Sequence, residues 1–152
     1  MNRFYRYIIL SIFFIVLTGC TTAKSVLESY EDQTVIYSNA NNDVSKTINF
    51  SFESDDENLL CLGFLDKFKE DIVVYVNDKL MMTFHRNEGE SYKKLSNEEI
   101  FKFIYLNNPN ENKITIGLIQ TKKKINFIID RNKRFFLISH YNQTWFVTAW
   151  DN

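Results

Sequence analysis

The sequence predicts an all-β fold, a small β-sandwich of the immunoglobulin-like or a similar antiparallel type with about seven to nine strands. Apolar and polar residues alternate with a period of two in 46–54, KTINFSFES. Short apolar segments rich in β-branched and aromatic residues are separated by polar turn residues, most clearly in the C-terminal third. With 1 proline and 4 glycines among 152 residues and no long amphipathic helical pattern, the chain is expected to fold as one domain.

The N-terminal segment 1–19 has the layout of a secretory signal peptide. It begins with a basic part that contains Arg3 and Arg6, continues with the apolar stretch Tyr7–Leu17, and ends in small residues. The apolar stretch is about half as long as the roughly 20 residues that a membrane-spanning helix needs. An export signal is therefore favoured over a permanent transmembrane anchor.

Four residues, Leu17, Thr18, Gly19 and Cys20, follow the apolar stretch and resemble the lipobox of bacterial lipoprotein precursors at every position. The resemblance implies cleavage before Cys20, a diacylglycerol on its thiol, and attachment by acyl chains to the extracytoplasmic face of a bacterial membrane. Two or three such chains make attachment lasting, whereas one gives marginal binding. Thr21 is not the aspartate that retains many Gram-negative lipoproteins in the inner membrane, so the outer membrane is favoured if the source is Gram-negative.

The mature chain is predicted to consist of a lipidated, flexible tether over 20–45 and a single β-rich domain over 46–152. The tether is polar and weakly patterned, although its short apolar piece Thr34–Tyr37 could also dock as an edge strand. The domain begins with the alternating segment 46–54, which predicts a half-buried strand.

Three later stretches predict the remaining elements. In DIVVYVNDKLMMTF, Asn77 and Asp78 separate two apolar runs and accept positive φ, which predicts a β-hairpin. In EEIFKFIYL, Glu99 and the preceding Ser96 match a helical capping box, but the aromatic residues alternate as in a strand, and a strand is favoured. The segments KITIGLIQT, KINFIID, RFFLISH and TWFVTAW predict four successive strands joined as a meander.

The charge of the chain argues against a nucleic-acid partner. Removal of Arg3 and Arg6 with the signal leaves 16 of the 18 basic residues against 19 acidic ones, so the mature protein is mildly acidic. Nonspecific affinity for phosphates requires concentrated positive charge, which this sequence lacks.

The sequence predicts no metal site, no cofactor and no catalytic residue. His85 and His140 are too few and too isolated to form a metal-ligand spacing, and no nucleophile motif is recognisable. Cys61 lies in the apolar run LLCLGFL, where a small buried thiol is expected rather than a disulfide with Cys20.

Three aromatic residues near the C terminus, Tyr141, Trp145 and Trp150, are candidates for stacking on a ligand. The two tryptophans are an odd number of residues apart, which places them on opposite faces of a regular strand. An exposed tryptophan near Tyr141 could stack on a sugar ring, and packing in the core is the alternative.

Together these observations predict a non-enzymatic envelope lipoprotein that binds a protein or glycan of the envelope. An inhibitor or immunity lipoprotein is a variant of the same binding class. The alternative is a small envelope hydrolase that uses carboxylates, and a pocket with two carboxylates, or His85 beside an acid, would favour it.

Overall fold

A computed structural model describes residues 23–39, 56–65, 68–86, 95–108, 110–129 and 132–151 of the protein. The helices in these ranges are α1 (Ala23–Glu28) and α2 (Asn97–Ile100). The strands in these ranges are β1 (Glu31–Asp32), β2 (Val35–Asn39), β3 (Leu59–Phe64), β4 (Asp71–Val76), β5 (Lys79–His85), β6 (Phe101–Tyr105), β7 (Asn112–Leu118), β8 (Lys123–Ile129), β9 (Lys133–Tyr141) and β10 (Thr144–Asp151). Neither of these helices is long and apolar enough to cross a membrane. The strand predicted at 46–54 lies outside the described residues.

The strands form two five-stranded sheets that enclose one core, which confirms the predicted all-β sandwich. Sheet 1 has the strand order β1-β8-β7-β4-β5, and sheet 2 has the order β2-β10-β9-β3-β6. Among the described pairings, β1 with β8, β2 with β10 and β3 with β9 are parallel, and the others are antiparallel. The sheets are therefore mixed rather than purely antiparallel, and the described ranges already contain ten strands.

The main core lies between the two sheets and receives one face of each long strand. In β8, Ile125, Phe127 and Ile129 are buried while the residues between them are exposed, as the period of two requires. The ring centroids of Phe127 in sheet 1 and Phe136 in sheet 2 lie 5.6 Å apart, so side chains from both sheets meet in the centre. Two smaller apolar clusters lie on the outer faces, one on each sheet.

The predicted hairpin between β4 and β5 is confirmed, with φ of 49° at Asn77 and 64° at Asp78. The four C-terminal strands also form as predicted, but they do not make one meander. β7 and β8 pair in sheet 1, whereas β9 and β10 pair in sheet 2. The chain changes sheets between β8 and β9 because each hairpin buries its apolar face against the other across the core.

Both interpretations of EEIFKFIYL hold in part. Ser96 Oγ accepts a hydrogen bond from the Glu99 N–H at 3.4 Å, and Glu99 Oε2 accepts one from the Ser96 N–H at 2.8 Å. This capping box begins α2, which lasts a single turn. From Phe101 the chain is extended and forms β6, where the alternating aromatic residues predicted a strand.

Residues 23–39 belong to the sandwich, which corrects both the flexible tether predicted over 20–45 and the domain start at 46. β2 pairs along β10 as the edge strand of sheet 2, in agreement with the alternative considered for Thr34–Tyr37. β1 pairs with β8 at the edge of sheet 1. The N-terminal segment thus contributes a strand to each sheet.

Burial of two side chains explains why this segment docks. Leu27 and Tyr30 pack against Val73 and Tyr75 on the outer face of sheet 1. A Cβ added at Gly117 would lie 3.2 Å from Tyr30 Cε2 and 3.3 Å from Leu27 Cδ2, so the missing side chain of Gly117 permits the close approach. Full burial of a side chain such as Leu27 contributes roughly 1.5–3 kcal/mol. A free tether would forgo this stabilisation.

Candidate functional site

A cluster of polar side chains lies where β4 begins and β5 ends; we define it as the histidine corner, formed by Glu70, Asp71, His85, Gln120 and Thr121. Asp71 and His85 are opposite residues of the β4–β5 ladder, and His85 Nδ1 lies 2.8 Å from Asp71 Oδ1. Gln120 Nε2 donates to Asp71 Oδ2 at 2.9 Å, and the Asp71 N–H donates to Gln120 Oε1 at 2.9 Å. The corner therefore holds one imidazole against one carboxylate.

The state of the Asp71 carboxylate determines the proton positions on His85. Hydrogen bonds from His85 and Gln120 hold the pKa of Asp71 below its usual range. An ionised carboxylate only accepts hydrogen bonds, so His85 Nδ1 carries the shared hydrogen and Nε2 of the neutral ring is left as an acceptor. His85 is exposed to solvent. This is the arrangement of base and orienting carboxylate that general-base catalysis uses.

Glu70, the second carboxylate of the corner, has a structural role. It is buried, its Oε2 accepts a hydrogen bond from the Thr121 N–H at 2.9 Å, and its Oε1 accepts one from Thr121 Oγ1 at 3.0 Å. Because Thr121 lies in the turn between β7 and β8, Glu70 fastens that turn to the start of β4.

We expect the Asp71 carboxyl to titrate below the value of about 3.9 that is usual for aspartate, and we expect His85→Ala to raise its pKa. The hydrogen bond from His85 is the largest cause of the lowered pKa. Since the folded-state pKa is depressed, the contact stabilises the fold above a pH of about 4, and this contribution is lost as the pH falls through the folded-state pKa. NMR titration of the carboxyl carbon in both proteins measures the difference, and equal pKa values would contradict the contact.

A polar cleft of about 300 Å³ lies where the N-terminal segment meets the outer face of sheet 1. Thr115 Oγ1 donates to Asn126 Oδ1 at 2.7 Å, and Asn126 Nδ2 donates to Asp32 Oδ1 at 2.8 Å. Lys124 Nζ donates to the Leu27 carbonyl oxygen at 2.7 Å. The bonds from Asn126 and Lys124 connect the N-terminal segment to β8, and the bond from Thr115 joins β7 to β8, so the cleft walls serve to dock that segment.

The structure separates the three residues predicted to stack on a ligand. Trp145 is 0% exposed and packs against Phe68 in the main core, so its ring has no face open to a ligand. Trp150 is half-buried on the outer face of sheet 2 and stacks on Phe135, with ring centroids 5.6 Å apart. Tyr141 is exposed beside the β9–β10 turn. The prediction that the two tryptophans occupy opposite faces is confirmed, and the stacking role of Trp145 is corrected because the core encloses it.

An apolar surface on sheet 2 was missed by the sequence reasoning. The strand register places Phe103, Cys61, Phe135 and Trp150 in one row across the outer face, on β6, β3, β9 and β10. We define the aromatic face as five of the side chains that reach solvent on this side of the sheet: Ile36, Phe103, Tyr105, Tyr141 and Trp150. The alternation of aromatic residues in β6 was the signal that could have revealed it.

Phe103 and Tyr105 give the aromatic face its most accessible rings. They are two residues apart on the edge strand β6 and therefore point to the same side. Phe103 is 48% exposed and Tyr105 is 64% exposed. Aromatic rings held on a strand in this way offer flat apolar area at little cost in conformational entropy.

Cys61 is fully buried on the outer side of sheet 2, as the surrounding apolar run predicted. Burial raises the pKa of its thiol to about 12, so the group stays protonated at neutral pH and is a poor nucleophile. The predicted processing residues Leu17, Thr18, Gly19 and Cys20 lie outside the described residues.

The two histidines are on different sheets. His85 ends β5 in sheet 1, whereas His140 lies on β9 in sheet 2 with its ring 5.0 Å from that of Trp145. Across the ranges that the structure describes, no three histidine, cysteine, aspartate or glutamate side chains come close enough to hold a metal ion.

Comparison of the chain with protein-family models, with curated proteins and with solved structures finds no match. Two surfaces of the described residues have features suited to a function: the histidine corner holds an imidazole beside a carboxylate, and the aromatic face carries exposed rings.

Proposed function

We propose that the protein is a bacterial envelope lipoprotein, held at the extracytoplasmic face of the membrane by acyl chains on Cys20, whose sandwich is a non-enzymatic binding module for an envelope protein or glycan. The observation that carries the proposal is the lipobox-like sequence of Leu17, Thr18, Gly19 and Cys20 at the end of an export signal. The described fold begins with α1 at Ala23, three residues after Cys20.

The aromatic face supports the binding role of the sandwich. Phe103 and Tyr105 present neighbouring exposed rings on a rigid strand, and Tyr141 presents another on the same side of sheet 2. Exposed aromatic side chains are enriched where proteins bind other proteins, and the same rings stack on sugars. A partner that covers them would remove apolar area from water, which favours association.

Replacing Cys20 with alanine is expected to abolish lipidation and to release the protein from the membrane. The thiol is the atom to which the diacylglycerol would be attached, and no other residue of the processing signal supplies one. Metabolic labelling with a fatty acid, followed by membrane fractionation, measures both effects.

Cys61→Ala is the matched control for Cys20→Ala, because it removes the second of the two cysteines and leaves the processing signal intact. The control is expected to keep both the label and the membrane fraction. A Cys20→Ala protein that is still labelled and still sediments with membranes would overturn the anchor.

The second candidate is a small envelope hydrolase, and the observation that favours it is the 2.8 Å contact between His85 Nδ1 and Asp71 Oδ1. In such an enzyme Nε2 of His85 would take a proton from a solvent water as that water attacks the bond to be cleaved, and the imidazolium would then give a proton to the leaving group, while Asp71 would orient the ring. Incubation with isolated envelope polymers separates the candidates. A binding module leaves the polymer length unchanged, whereas the hydrolase shortens the polymer and loses this activity in His85→Ala.

A further inference from the structure

The direction in which α1 crosses sheet 1 determines where the N-terminal anchor leaves the domain. Near the end of α1, Leu27 lies over Gly117 of β7, and its carbonyl oxygen accepts a hydrogen bond from Lys124 Nζ of β8. The helix also contacts β5, the edge strand that lies on the other side of β7 from β8. Six residues of α-helix span about 9 Å, or roughly two strand spacings. The start of α1 therefore points toward β5.

The chain between the proposed lipid attachment and the fold is short. Three Cα-to-Cα steps join Cys20 to Ala23, where α1 begins. A fully extended chain of this length spans at most about 11 Å. A five-stranded sheet is roughly 19 Å wide, and stacked sheets lie about 10 Å apart. The connection is thus shorter than the sandwich is wide, so the start of α1 stays close to the bilayer surface.

The surface at this edge of sheet 1 suits the headgroup region of a membrane. Val26 on α1 and Leu80 on β5 are both exposed aliphatic side chains. Lys79 on β5 is exposed as well, and lysine can lay its methylene chain on an apolar surface while its ammonium group stays with the headgroups.

We propose that the β5 edge of sheet 1, together with α1, rests against the bilayer surface, and that the β2 edge of sheet 2 lies farthest from the membrane. The inference depends on the acylation of Cys20 in the proposed function and adds an orientation to it. A binding module oriented in this way presents Ile36 on β2 and Trp150 on β10 to the envelope compartment, whereas Phe103 and Tyr105 on β6 lie beside the β5 edge.

Two exposed positions, each replaced by cysteine in a separate variant, test the orientation. Leu80 on β5 is 46% exposed and Ile36 on β2 is 49% exposed, so a fluorophore on Leu80→Cys or Ile36→Cys begins in a comparable environment. β2 is the edge strand of sheet 2 opposite β6. β6 lies next to β5, because Lys102 Nζ of β6 is 5.1 Å from the centroid of the Phe84 ring on β5. Ile36 is therefore on the side of the sandwich away from β5. Buried Cys61, whose thiol has a pKa of about 12, does not compete for the label in the folded protein.

The experiment uses the full acylated protein in vesicles of phosphatidylethanolamine and phosphatidylglycerol that carry a nitroxide quencher on their headgroups. Because the two positions are separated by roughly 20 Å across the sandwich, the label at Leu80→Cys should lose about twofold or more fluorescence relative to the label at Ile36→Cys. Flotation of the same samples with the vesicles shows whether the anchor holds.

Equal quenching at the two positions, or stronger quenching at Ile36→Cys, in protein that floats with the vesicles would overturn the orientation and leave the anchor standing. Failure of both variants to float would overturn the anchor itself, and the orientation with it. Melting temperatures close to that of the unsubstituted protein confirm that both variants are folded.

Discussion

Trp145→Ala is expected to lower the free energy of unfolding by about 3–5 kcal/mol, which is a large part of the stability of a domain of this size. Trp145 is 0% exposed and is among the largest fully buried side chains of the described residues. Its ring centroid lies 5.6 Å from that of Phe68 and 5.0 Å from that of His140. Alanine would leave a cavity between the sheets that these neighbours fill only in part. Urea denaturation followed by circular dichroism measures the loss without depending on tryptophan fluorescence.

Trp150→Ala is the matched control because it removes the same ring from the other face of β10. Trp150 is half-buried and stacks on Phe135, so its loss should cost roughly 1–2 kcal/mol. Trp145→Phe should lower the free energy of unfolding less than Trp145→Ala does. The buried indole N–H has no acceptor among the described residues, so its removal breaks no hydrogen bond with them. Equal losses for the two alanine variants would contradict the different placement of the tryptophans.

The strands and hairpins could be predicted because they depend on local patterns, whereas their distribution between the sheets could not. A period of two in β8 identifies the buried face of the strand, but the same pattern fits either side of the core. The chain changes sheets between β8 and β9 because the β9–β10 hairpin packs opposite the β7–β8 hairpin across the core. That packing becomes visible only where Phe127 and Phe136 meet.

The docking of Leu27 and Tyr30 on sheet 1 was missed for a similar reason. Leu27 and Tyr30 are separated by about forty residues of sequence or more from Val73, Tyr75 and Gly117, which receive them. A polar stretch with two buried side chains has the composition of a linker. The long-range burial of those side chains, rather than the local pattern, decides its structure.

A bulge in the β4–β5 hairpin is what brings His85 to Asp71. Next to the turn, Tyr75 pairs with Leu80, and continuing that register would place Phe84 opposite Asp71. A shift of one residue between Val74 and Tyr75 places His85 opposite Asp71 instead. A regular hairpin built on the predicted turn would therefore not pair Asp71 with His85. The position of the turn alone does not predict the histidine corner.

Arg86→Met is expected to lower the free energy of unfolding by about 3–5 kcal/mol, because it removes two charge-assisted hydrogen bonds from a buried position. Arg86 is 5% exposed; its guanidinium donates to the Glu99 carbonyl oxygen at 2.7 Å and to the Phe64 carbonyl oxygen at 3.1 Å. These contacts join the end of β5, the edge strand of sheet 1, to α2 and to the end of β3 in sheet 2. Methionine fills much of the space of the arginine stem but leaves both carbonyl groups without this donor. Urea denaturation gives the change in the free energy of unfolding.

The matched control is Arg134→Met, which also removes an arginine bound to a backbone carbonyl, in this case that of Asp56. Arg134 is only half-buried, so water can replace its hydrogen bond and the loss should be about 1 kcal/mol or less. Arg86→Lys should fall between the two methionine variants, because a single ammonium group keeps the charge but does not reproduce the planar pair of donors. If Arg86→Met and Arg134→Met were equally stable, the bridge between α2, β3 and β5 would contribute no more than a surface contact.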